Sequence, residues 1–147
     1  MVHGSKYFVP KEFACKCGCG FGSKEEQVAA DLVHLLHILR VSLDVPFIIT
    51  SGARCAEHNK KVDGGEKSTH LAGVLGQCTP DYEGQSRAVD LNTTRWSASL
   101  RGACVNMALS VGARVGIADT FIHIDVENDP YYSEGMWNYS NGEDSSS

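Results

Sequence analysis

The 147-residue sequence predicts a single α+β domain in which a small, mostly antiparallel sheet is flanked by helices. Three observations lead there. Two long segments carry apolar residues at helical spacing, and four short runs read as strands. Their order along the chain is helix, two strands, helix, two strands, which suits antiparallel neighbours. No internal repeat and no linker interrupts this order.

The first helix is predicted over residues 23–43, "SKEEQVAADLVHLLHILRVSL". Ser23 with Glu26 reads as a capping box, and Val28, Leu32, Leu35, Leu36 and Leu39 form an apolar stripe. "VPFIIT" reads as a short buried strand closed by the turn "SGARC". Residues 55–87 are rich in Gly, Lys, Glu and Ser and read mostly as loop. "RAVDLN" is the second strand. "TTRWSASLRGACVNMALSVG" is the second helix, with Trp96, Leu100, Ala103 and Met107 at helical spacing and Gly112 as its stop. "ARVGIA" and "FIHIDV" are the last two strands, joined at Asp119 and Thr120. The tail "NGEDSSS", residues 141–147, reads as disordered, which leaves residues 1–140 as the domain.

Composition narrows the function. Hydrophobic residues make up 42% of the chain, enough for one modest core. A net charge of -5 argues against a nucleic-acid footprint or a basic membrane patch. No apolar run approaches the ~20 residues needed to span a bilayer. The opening "MVHGSKYFVPKEF" lacks the apolar stretch of a secretory signal. The expectation is a monomer made in the cytoplasm without a signal peptide, binding neither nucleic acid nor membrane.

The chemistry concentrates on two strands. Alternation in "FIHIDV" puts Phe121, His123 and Asp125 on one face and Ile122, Ile124 and Val126 on the other. The second face is apolar and belongs to the core. His123 and Asp125 then stand together, about 7 Å apart along the strand. In "RAVDL", Asp90 likewise stands against an apolar back, and His70 in "STHLAG" lies on a loop leading towards that strand. Two histidines and a carboxylate suit a catalytic zinc ion, which takes three protein ligands and leaves a fourth position for water. The same residues would also suit the solvated outer face of a sheet.

"ITSGARC", "HN", "GG", "STHLAG", "RAVDLN" and "FIHIDV", in this order, resemble the D-alanyl-D-alanine carboxypeptidase-like zinc peptidases. That group spans bacterial wall peptidases, phage endolysins and the related zinc domain of hedgehog proteins. The resemblance runs over residues 13–137. It implies a hedgehog/DD-peptidase-like fold, zinc held by His70, Asp90 and His123, and hydrolysis of a peptidoglycan peptide. Arg54 would correspond to an arginine that grips a substrate carboxylate, and Ser68 belongs to the motif Ser-x-His-x-x-Gly-x-Ala-x-Asp. A phage or prophage lytic enzyme, reaching the wall after release, fits the missing signal. The alternative is a binding module of the same fold that keeps the metal and has lost catalysis.

The sequence departs from the family pattern twice. Residues 74–86, "VLGQCTPDYEGQS", intervene between "STHLAG" and "RAVD", and read as a mobile lid or specificity loop at the rim of the site. They also bring Asp81 in as a rival ligand to Asp90. The family's usual positions for a general base hold Thr120 and Phe121, neither of which can serve. Asp125 is the first candidate, or else a residue that orients an imidazole. Asp119 is the second.

Other signals stay open. Cys15, Cys17 and Cys19 in "CKCGCG" would be half of a structural metal site, a disulfide partner for Cys55 or Cys78, or small thiols. His34 and His37 read as surface or boundary histidines, and His58 as a cap or brace for the loop near Arg54. Trp137 and Tyr139 would line a substrate groove or close the core as a clamp.

Overall fold

A computed structural model of the chain describes residues 1–62, 68–71, 79–81, 83–127 and 135–139. Two 3-10 turns, Pro10–Phe13 and Glu25–Gln27, precede helix α1 (Ala30–Leu43). Strand β1 (Ile49–Ser51) leads to helix α2 (Ala56–Lys61), then to strand β2 (Ala88–Asn92) and helix α3 (Ala98–Ser110). Strands β3 (Arg114–Ile117), β4 (Phe121–Asp125) and β5 (Met136–Asn138) follow.

The five strands form one sheet in the order β1-β2-β4-β3-β5. Every pairing is antiparallel except β3 with β5, so the predicted α+β class with a mostly antiparallel sheet holds. Helices α1 and α3 pack on each other and share one core with the sheet. Leu32, Val33, Leu36 and Leu39 of α1 and Ala108 of α3 are buried with Val89, Leu91, Val115, Ile122 and Ile124. Burying each such Leu or Ile contributes about 1.5–3 kcal/mol. Cys104 lies in this core, where burial pushes its thiol up to about 12 and keeps it unreactive.

The start of α1 differs from the expectation. Residue 23 does not cap a helix: the Ser23 hydroxyl donates back to the Gly20 carbonyl, and the α-helix begins only at Ala30. A tertiary pairing explains this. Ser86 N–H donates to the Gln27 carbonyl at 2.9 Å, and Ala29 N–H donates to the Ser86 carbonyl at 2.9 Å. That bridge holds Val28 extended, and a long-range backbone pair outweighs helix propensity. The far end fits the usual stop, with Asp44 in the left-handed conformation at φ 54°.

Two elements were not foreseen. Helix α2 falls in the stretch read as loop; its six residues are mostly polar and carry no apolar stripe. Strand β5 is too short for periodicity to show, and its pairing partner β3 is distant in sequence. Trp96 precedes α3 instead of lying within it, and packs on Phe47 with ring centroids 5.8 Å apart. His37 is half-buried and ties down the N-terminal segment, its Nδ1 2.7 Å from the Ser5 hydroxyl. The tail, residues 141–147, lies outside the described residues.

Candidate metal centre

The apolar face of the sheet meets the helices, so the polar residues of β2 and β4 project together from the other face. Strand register lines them up in one cross-strand row: Ser51 opposite Asp90, Asp90 opposite His123, His123 opposite Gly116, and Gly116 opposite Trp137. His70 joins this row from the turn formed by residues 68–71. There the Ser68 hydroxyl accepts from His70 N–H at 3.3 Å, and Leu71 N–H donates to the Ser68 carbonyl at 3.1 Å. Arg54 N–H donates to the His70 carbonyl at 2.9 Å and fixes the turn against the segment after β1.

Three donor atoms converge. His70 Nε2 lies 3.2 Å from Asp90 Oδ1 and 3.2 Å from His123 Nδ1, and His123 Nδ1 lies 3.0 Å from Asp90 Oδ1. A tetrahedral zinc ion with N and O ligands at about 2.0–2.1 Å sets neighbouring donors about 3.3 Å apart. The triangle therefore fits such an ion. All three side chains are buried.

The other ring nitrogens decide the tautomers. His70 Nδ1 sits 2.6 Å from the Gly52 carbonyl, which can only accept, so Nδ1 carries the proton and Nε2 presents its lone pair. His123 Nε2 sits 2.7 Å from Asp125 Oδ2, so Nε2–H donates there and Nδ1 is turned to the triangle. Each imidazole is thus anchored by an acceptor behind it, the arrangement that orients metal-binding histidines.

Electrostatics agrees. Burial pushes His70 below its ordinary value, opposed by Asp90 and assisted by the Arg54 charge. Burial alone would raise the Asp90 carboxyl, but the charges and hydrogen bonds of His70 and His123 carry it far below the carboxylate range. Burial would also lower His123, yet hydrogen bonds to Asp125 and Asp90 raise it to about 9. Without a metal, a proton on His123 Nδ1 supplies the positive charge that the carboxylates demand.

The remaining predicted residues fall into distinct places. Asp125 is fully buried behind His123. Its Oδ2 also accepts from the Thr69 hydroxyl at 3.1 Å, its Oδ1 accepts from Glu127 N–H at 3.1 Å, and Arg114 Nε stands 3.7 Å away. Asp119 is exposed in the β3–β4 turn, and its carbonyl accepts from Arg101 at 3.2 Å. Arg54 is fully buried: Nε donates to the Ser51 hydroxyl at 3.1 Å, Nη1 to Asn59 Oδ1 at 2.9 Å, and Nη2 lies 3.6 Å from Asp90 Oδ2. Trp137 is half-buried, 5.3 Å from the His123 ring centroid, with the Arg114 guanidinium 4.7 Å from its own.

Asp81 stands apart from the centre, exposed and paired with Lys24 at 3.1 Å. Its neighbour Pro80 accepts from Gln27 at 2.8 Å, and Gln85 donates to the Glu26 carbonyl at 3.1 Å. The described part of the intervening segment is therefore strapped to residues 20–28; residues 74–78 and 82 lie outside the described residues. The sequence reading missed Thr69, Asn59, Arg114 and the Gly52 carbonyl. Thr69 and Asn59 lie inside quoted motifs, "STHLAG" and "HN", but their partners become neighbours only in the fold.

A buried His–Asp–His triangle on the polar face of an antiparallel sheet is a candidate metal site. The sequence profile of the Peptidase M15 family matches residues 6–125, and the chain belongs to that family of metal-dependent peptidases. No curated protein and no solved structure matches it. Among the described residues, no helix is long and apolar enough to cross a membrane.

Proposed function

We propose that the chain is a zinc-dependent peptidase that hydrolyses an amide bond in peptidoglycan stem peptides or cross-links. The observation that carries this reading is the pair of fixed tautomers. Both histidines are held by acceptors behind them so that Nε2 of His70 and Nδ1 of His123 turn towards Asp90 Oδ1. The two-nitrogen, one-oxygen donor set suits zinc and leaves one tetrahedral position for a reactant. Bound there, zinc would polarise the scissile carbonyl and lower the pKa of a water towards about 7.

The other residues divide the remaining work. Asp125 orients His123 and strengthens it as a ligand, with Thr69 steadying the carboxylate. Arg54 braces Asp90 so that one carboxylate oxygen faces the metal while the other faces the guanidinium. Trp137 forms the wall beside His123 against which a peptide would lie. The motif resemblance to wall peptidases supports peptidoglycan as substrate; action on the wall after release, as a monomer of phage or prophage source, is part of the same proposal.

The test is incubation with purified sacculi, following the amines released. Release that stops on chelation and returns with zinc supports the proposal, and mapping the cleaved bond separates carboxypeptidase from endopeptidase. One observation favours a second reading. Among the described residues, the carboxylates touching the centre are Asp90 and Asp125, and both are already engaged. Intact sacculi with a fully zinc-loaded protein would leave the binding module standing.

A further inference from the structure

A second cluster of metal-type ligands lies apart from the His–Asp–His triangle. Cys15, Cys17, Cys19 and Cys55 bring four sulfur atoms within 4.8 Å of one another. Cys15 Sγ is 3.5 Å from Cys17 Sγ, and Cys17 Sγ is 3.7 Å from Cys55 Sγ. A disulfide needs sulfurs about 2.05 Å apart, well inside both of these spacings. Tetrahedral zinc with sulfur ligands at about 2.3 Å sets neighbouring sulfurs about 3.8 Å apart. The observed spacings match that edge.

The local fold is built to bring these sulfurs together. Gly18 and Gly20 take φ values of +87° and +91°, which let the "CKCGCG" segment curl into a knuckle. Cys15 N–H closes it by donating to the Phe21 carbonyl at 2.7 Å, and Gly18 N–H donates to the Cys15 carbonyl at 3.2 Å. The fourth sulfur comes from Cys55, 36 positions beyond Cys19 and directly before α2, so sequence spacing gave no second pair to find. Backbone N–H groups already point at two of the sulfurs. Cys55 N–H donates to Cys15 Sγ at 3.4 Å, and His58 N–H donates to Cys55 Sγ at 3.3 Å. Such donors spread the negative charge of metal-bound thiolates. Phe21 and Ala53 pack around the group as a small apolar shell.

We infer that Cys15, Cys17, Cys19 and Cys55 form a closed tetrathiolate site for a structural zinc ion. Four protein ligands leave no open position, so this metal holds the fold and does no chemistry on a substrate. What it holds is the segment beside the catalytic centre. Ala53 N–H donates to the Phe13 carbonyl at 2.8 Å, Gly52 anchors His70, and Arg54 braces Asp90. The ion would rivet the knuckle to residues 52–55 and so fix the wall of the centre.

The site can be read apart from the proposed peptidase centre. The reduced full chain is stripped of metal and reconstituted with cobalt(II). The expected result is about two ions per chain, with intense sulfur-to-cobalt charge-transfer absorption. Cys17→Ser should abolish that absorption and reduce the content to about one ion. His70→Ala should remove the other ion and keep the absorption. A wild-type chain that binds cobalt without the charge-transfer band overturns the inference, whatever its peptidase activity. So does a disulfide between any two of the four, mapped by mass spectrometry in chain purified without reductant.

Discussion

Asp125 lies behind His123, with its Oδ2 2.7 Å from Nε2, while Nδ1 of the same ring faces His70 and Asp90. The carboxylate and the metal position are on opposite edges of one imidazole. This relationship sets the first prediction. Asp125→Asn should weaken metal affinity about 10- to 100-fold, because the ring loses the partner that fixes its tautomer and basicity. Activity should recover when excess metal refills the site. A variant with wild-type metal affinity and a rate lower by about 10²- to 10⁴-fold would make Asp125 the general base.

Asp90 and Asp81 stand in different places. Asp90 Oδ1 is one corner of the donor triangle, whereas Asp81 is exposed beside Lys24. Asp90→Ala, His70→Ala and His123→Ala should each lose the metal of this centre together with activity. Asp81→Asn should leave both intact and shift stability by no more than about 1 kcal/mol, the range of an exposed ion pair. Metal content by mass spectrometry of the native chain checks this, and loss of metal in Asp81→Asn would reverse the assignment.

The strands carrying the centre were legible because alternation leaves its mark residue by residue. Ile122 and Ile124 had to face the core, so His123 and Asp125 had to face away from it. Where the reading fell short, the deciding partner was distant in sequence. Ser86 holds Val28 extended and shortens the first helix, β5 is defined by its pairing with β3, and Cys55 completes a group begun at Cys15. Alternation also could not say which ring nitrogen of His123 faces Asp125. That depends on the ring's rotation, and the rotation is fixed by Thr69, Asp125 and Asp90 together.

Arg54 was expected to grip a substrate carboxylate, and the structure encloses it beside Asp90. Arg54→Lys keeps the charge but not the fork that reaches Ser51, Asn59 and Asp90 at once. The expected outcome is a metal affinity lowered roughly 10- to 100-fold, with activity following it. If metal affinity is unchanged and KM alone rises, Arg54 contacts substrate.

Gly116 makes room for the aromatic wall. A Cβ at this position would lie 2.6 Å from a Tyr139 ring carbon and 2.7 and 2.8 Å from two Trp137 ring carbons. Gly116→Ala should therefore push β5 outward and destabilise the fold by about 1–3 kcal/mol. The denaturant midpoint should fall, and the emission of Trp137 should move to longer wavelength in a Trp96→Phe background. An unchanged midpoint would mean that the rings yield without strain.

Metal binding at the centre should strengthen with rising pH, and the direction follows from His123. In the metal-free chain this histidine is raised to about 9, so at neutral pH its Nδ1 holds a proton where the metal must bind. The ion has to displace that proton, and apparent affinity should rise up to about tenfold per pH unit until about pH 9, then level off. His70, which burial keeps below its ordinary value, adds a further loss only on the acid side. Asp125 is one of the two carboxylates that raise His123, so Asp125→Asn should move the levelling point to lower pH as well as lowering the plateau. Zinc titration of the stripped chain, read through recovered activity across pH 6–10, measures both. An affinity independent of pH over that range would show that Nδ1 carries no proton to displace. The shift of the levelling point expected for Asp125→Asn would then be absent as well, although Asp125 would still fix the tautomer through Nε2–H.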